Sequence, residues 1–134
     1  MAKTVLVVDD VAFVRKTLIE ILSEAGYEVV GEAEDGEQAI ERYRALRPSV
    51  VTMDVVMPKL GGIDATRAIL KADKNAVIVM VSAMDQMNLI MEAIHAGARD
   101  YIQKPFSSRD IARVLDRAIR GEHAGAPQAA PRVG

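Results

Sequence analysis

Four short stretches carry side chains able to handle a charged group: Asp9-Asp10, Asp54 ahead of Val55-Val56-Met57-Pro58, Ser82-Ala83, and Lys104-Pro105-Phe106. Taken singly, each has a bland reading. A pair of aspartates after an apolar run makes a turn or a cap, a lone Asp before Met-Pro forms a turn, Ser82 caps a helix, and Lys-Pro is uninformative. Their shared position changes that, because each follows a run with strand character. Neighbouring strands would bring three carboxylates, a hydroxyl and an ammonium to one edge.

Carboxylates brought together repel one another. At about 4 Å and an effective dielectric near 20, each close pair costs on the order of 4 kcal/mol. Asp9, Asp10 and Asp54 against Lys104 leave two uncompensated negative charges, which one hard divalent cation cancels. Oxygen donors with room for several waters suit Mg2+. Asp9 and Asp10 are adjacent and can share the ion directly or through water. Asp54 stands alone beside it, so its carboxylate is the one free to attack a phosphoryl group. The metal and Lys104 would neutralise the transferring oxygens, and the product would be an acyl phosphate.

The elements that must position these groups are legible as alternating patterns. Thr4–Val8, Ser49–Met53 and Ala76–Val81 are apolar on both faces, as strands covered above and below are. Residues 27–33 and 100–103 read as weaker edge strands. Helices are expected over 12–25, on a stripe of Phe13, Leu18, Ile21, Leu22 and Ala25, and over 36–46, behind an Asp35 cap. Three more are expected: over 62–72, over 84–96 stopping near Gly97, and behind Ser107 with Asp110 three residues on. Five βα units predict an α/β, doubly wound, five-stranded parallel sheet of order 2-1-3-4-5, the flavodoxin-like arrangement whose crevice lies beyond the carboxyl ends of the strands.

Composition narrows the function classes. The 134 residues suit one domain, expected over 1–120, and nine of the last fourteen are Gly, Ala or Pro, so residues 121–134 are expected to be a disordered tail. Seventeen basic residues nearly balance nineteen acidic ones, which argues against general binding to nucleic acid or anionic membrane. With no cysteine and only His95 and His123, thiolate chemistry and histidine-rich metal sites are excluded, and neither histidine is assigned a role. No apolar run spans a bilayer and no signal peptide is evident, so a cytoplasmic address is expected.

Across residues 3–120 the chain resembles the receiver domains of two-component response regulators, most of all the small single-domain chemotaxis receivers. The resemblance rests on Val-Val-Asp9-Asp10, on Met53-Asp54-Val-Val-Met57-Pro58 with Gly62 beyond it, on Val81-Ser82-Ala83 and on Lys104-Pro105-Phe106. It implies that Asp54 is a phosphoacceptor supplied by the phosphohistidine of a sensor kinase. Asp9 and Asp10, together with the backbone carbonyl of Val56, would hold Mg2+ beside it. By the same likeness, Lys104 would contact the phosphoryl oxygens, Ser82 would move toward them, Tyr101 would turn inward, Ala83 would leave room, and the peptide before Pro105 would be cis. Partners would read the face of helix 4, strand 5 and helix 5, here Met87, Met91, Tyr101, Arg109 and Arg113.

Val56 and Met84 are apolar where polar groups could orient a hydrolytic water, so slow self-dephosphorylation is expected. Arg109, Arg113 and Arg117 form a stripe that is either a solvated face or a dock for an acidic segment. Met84, Met87 and Met91 read as core and groove filling. Such a protein would be a signalling switch with no enzyme activity beyond its own phosphorylation and dephosphorylation. As a monomer it would serve a flagellar motor switch protein or, alternatively, a histidine phosphotransfer protein. No output domain, and so no DNA binding in cis, is expected after residue 120. An aspartyl phosphatase fits less well, because Val56 stands where its general acid would be. A mononucleotide-binding loop fits less well too, because Asp9-Asp10-Val11-Ala12 replaces its glycines.

Overall fold

The computed structural model describes residues 3–83 and 86–121. The strands are β1 (Thr4–Val8), β2 (Glu28–Ala33), β3 (Val50–Asp54), β4 (Ile78–Ala83) and β5 (Asp100–Lys104). The helices are α1 (Ala12–Glu24), α2 (Gly36–Leu46), α3 (Gly62–Ala72), α4 (Met87–His95) and α5 (Ser108–Ile119). All pairings are parallel and the order is β2-β1-β3-β4-β5, as the sequence pattern predicts. Among the described residues no helix is long and apolar enough to cross a membrane.

The two-residue period of the strands divides the core into two layers. Leu6, Val8, Val51, Met53, Ile78 and Met80 pack toward α2, α3 and α4, against side chains that include Tyr43, Ile69 and Ile90. Val5, Val7, Val50, Val79 and Ile102 pack toward α1 and α5, against Leu18, Leu22, Ile111 and Leu115. The same alternation, followed to the last residue of β3 and β5 and one step beyond β1, places Asp54, Lys104 and Asp9 on the α1/α5 side of the rim. Ser82 and Tyr101 fall on the other side, and Tyr101 packs, half-buried, against the layer that contains Ile90.

Local signals account for the helix boundaries. Asp35 accepts from the Gln38 amide at 2.8 Å, and Ser107 accepts from the Asp110 amide at 3.1 Å, so both expected caps form. Gly26, just past α1, has φ +93°, a conformation that favours glycine.

Two expectations need correcting. Phe13 is 76% exposed, and the buried stripe of α1 runs through Val14, Leu18, Ile21, Leu22 and Ala25 instead. A one-residue step turns a helix by about 100°, so an apolar pair at 13 and 14 leaves open which one faces inward. Met87 and Met91, read as core and groove filling, are 41% and 53% exposed, so the core part of that reading does not hold. Met84 and Asp85, where α4 is expected to begin, and residues 122–134, with His123 among them, lie outside the described residues.

Candidate functional site

β1 and β3 are central strands, and their carboxyl ends stop side by side. Asp9 is fully buried, Asp54 nearly so and Asp10 exposed. One carboxylate oxygen from each lies within 4.8 Å of the others, a set of hard oxygen donors that could hold a metal ion. Lys104, delivered by the far edge strand, places Nζ 3.2 Å from Asp9 Oδ2 and 3.7 Å from Asp54 Oδ1. The peptide that follows it, Lys104–Pro105, is cis, as the resemblance implies.

Asp9 serves the backbone as well as the site. Its Oδ1 accepts from the Val11 amide at 2.9 Å, so the turn-forming reading holds for a residue that also stands in the acid cluster. Asp54 Oδ1 accepts from the next amide, Val55, at 2.9 Å. One lysine does not balance three acids. Burial first, and the negative charge of Asp9 second, push the Asp54 carboxyl up to about 7, against the opposing pull of Lys104. A bound cation would relieve that repulsion, so the donor set suits one.

Ser82 is fully buried at the end of β4, and its hydroxyl has no hydrogen-bond partner. A buried hydroxyl left without a partner costs roughly 1–3 kcal/mol, so its burial at the rim is unusual. Ala83 is half-buried, and its amide donates to Gln86 Oε1 at 2.9 Å. Val56 projects its side chain to solvent, 54% exposed. On α5, Arg109 is exposed, Arg113 pairs with Asp110 at 3.2 Å, and Arg117 reaches buried Asp100 at 2.7 Å. Arg117 therefore ties α5 to β5 and does not belong to a free cationic stripe.

Sequence reasoning passed over two supports of the rim. Arg15 Nη1 donates to the Asp9 carbonyl at 2.8 Å while its Nε donates to Glu32 Oε1 at 2.8 Å. The Gly36 amide donates to the Leu60 carbonyl at 2.9 Å, and a Cβ at Gly36 would collide with that carbonyl, so α2 props the loop that follows Asp54. A basic residue five positions after Asp10 was the only available signal for the first. The second depended on contacts between elements far apart in sequence.

A parallel 2-1-3-4-5 sheet with this acid cluster beyond β1 and β3 is the architecture of a receiver. Residues 5–116 match the response regulator receiver domain family, and the chain belongs to that family. The chemotaxis protein CheY of Thermotoga maritima is 50% identical over 120 residues, spanning 90% of this chain and 100% of the relative. CheY of Bacillus subtilis is 44% identical, spanning 89% and 99%. The CheX–CheY–BeF3–Mg complex from Borrelia burgdorferi includes a chain of similar structure. Its TM-score is 0.78 at 35% identity, with coverage of 88% of this chain and 87% of that one. The chain is thus a CheY-like receiver, a phosphorylation-dependent switch of two-component signalling and not a member of a classical enzyme family.

Proposed function

We propose that Asp54 accepts a phosphoryl group from the phosphohistidine of a sensor kinase and that the phosphorylated chain signals to the flagellar motor switch. The convergence of Asp54 with Asp9, Asp10 and Lys104 at the rim carries this reading. A carboxylate oxygen of Asp54 forms the new bond to phosphorus. The P–N bond breaks, its electron pair returns to the imidazole, and an acyl phosphate remains. Asp9, Asp10, Asp54 and the backbone carbonyl of Val56 would hold Mg2+, which when bound supplies positive charge to the approaching phosphoryl oxygens. Support for that ion comes from the donor set and from the Mg in the related Borrelia complex.

Lys104 lies close enough to Asp54 to meet the new oxygens once the carboxylate charge has been converted. Ser82 gains in the phosphoryl group the acceptor that its hydroxyl lacks, so its movement is favourable. Ala83 leaves the entrance open. Tyr101 shares the Ser82 side of the sheet, so repacking after β4 opens space into which its ring turns, a population shift toward one loop arrangement. Partners then read Met87, Met91, Tyr101, Arg109 and Arg113, a surface of exposed thioethers and arginines. The protein works as a cytoplasmic monomer. The relatives named CheY favour the motor over the alternative, transfer onward to a histidine phosphotransfer protein.

The test is transfer from a radiolabelled, autophosphorylated sensor kinase in Mg2+, followed by pull-down of the labelled chain. Label should pass to the wild type and not to Asp54→Asn, and the labelled form should retain a motor switch protein. Retention only by a phosphotransfer protein would move the reading to the relay.

A further inference from the structure

Every polar group of Asp9 is engaged, each by a different part of the fold. Its amide donates to the Ala33 carbonyl of β2 at 3.1 Å. Its carbonyl accepts from Arg15 of α1, its Oδ1 from the turn amide of Val11, and its Oδ2 from Lys104 at the end of β5. Of these, the Arg15 contact alone acts on the peptide plane shared with Asp10. Arg15 is held in turn: its Nε donates to Glu32 Oε1, and Arg42 Nε donates to the Glu32 carbonyl at 2.9 Å. The Arg15 side chain is 18% exposed and that of Glu32 50%, so the guanidinium is packed against the protein while its acid partner faces water.

We infer that Arg15 is a positioning residue for the acid rim, fixing the Asp9–Asp10 peptide and thereby the direction in which exposed Asp10 presents its carboxylate. The inference rests on the magnesium reading above. Glu32 neutralises the guanidinium, so the contribution of Arg15 is geometric: one rigid fork donates at once to the Asp9 carbonyl just past β1 and to a carboxylate on β2. A lysine keeps the charge but brings a point donor on a flexible stem, and it cannot hold both acceptors in that fixed relation. Groups that orient metal ligands in this way typically affect metal affinity by about 10- to 100-fold.

The experiment compares wild type, Arg15→Ala, Arg15→Lys and Asp10→Asn by calorimetric titration with MgCl2, by thermal melting in EDTA, and by amide hydrogen exchange at Val11 without metal. Arg15→Ala should bind Mg2+ at least ~10-fold more weakly and exchange the Val11 amide faster. Arg15→Lys should recover the melting temperature but not the affinity. Unchanged affinity in Arg15→Ala, or recovery of melting and affinity together in Arg15→Lys, overturns the inference. If wild type and Asp10→Asn titrate alike, the magnesium reading has failed. Val11 exchange then decides the positioning role alone, and an unchanged rate in Arg15→Ala rejects it.

Discussion

Asp54 is held where an ionised carboxylate is least favoured, enclosed at the end of a central strand and facing the buried charge of Asp9. With its folded-state pKa near 7 and an unfolded value near 4, the folded chain keeps a proton that the unfolded chain releases. Stability without metal therefore falls as pH rises from about 4 to about 7, and the penalty is absent below that window. In EDTA, Asp54→Asn should exceed wild type by roughly 1–2 kcal/mol at pH 8, the screening of a water-facing rim included, and the gap should close toward pH 4. Urea titrations of both proteins across that range measure it, and added Mg2+ should narrow the difference at pH 8. At the neighbouring positions, Val56→Asn combined with Met84→Glu should speed phosphate loss from the phosphorylated chain, because polar groups would then be available to orient water. Unchanged decay would contradict that role.

At the scale of elements, the rim depends on close approach. The Gly62 amide donates to the Val55 carbonyl at 2.8 Å, and a Cβ there would run into the Asp54 carbonyl oxygen. Gly62→Ala should cost about 3 kcal/mol or more, read by urea denaturation, because backbone cannot yield as a side chain can. Thr52, on β3 two residues before Asp54, buries a hydroxyl with no partner in the α1/α5 layer. Thr52→Val should raise stability by about 1 kcal/mol in the same assay. The strands, their order and both side-chain caps were legible because covered parallel strands are continuously apolar and because Ser107 and Asp35 are strong helix-start signals. The inward face of α1 was not, since Phe13 and Val14 are equally apolar. Nor were Arg15–Asp9 and Gly36–Leu60, which arise from contacts across elements and leave no periodic trace. The site itself was legible because strand ends in a doubly wound sheet share one edge.

On the scale of the whole molecule, the two layers divide the labour. The α1/α5 side carries Asp9, Asp54 and Lys104, while the opposite side carries Ser82 and Tyr101, beside α4 and its exposed methionines. For the proposed switch, a charge added at the rim has to be transmitted across the sheet edge, from the layer that would receive it to the layer that would display it. Such a switch depends on a covalent mark at one carboxylate. Intact mass after incubation with a small acyl phosphate and Mg2+, for wild type and Asp54→Ala, tests it most directly. Wild type should gain a single phosphoryl mass that disappears when metal is withheld, and Asp54→Ala should gain none. Equal labelling of the two proteins would contradict the account.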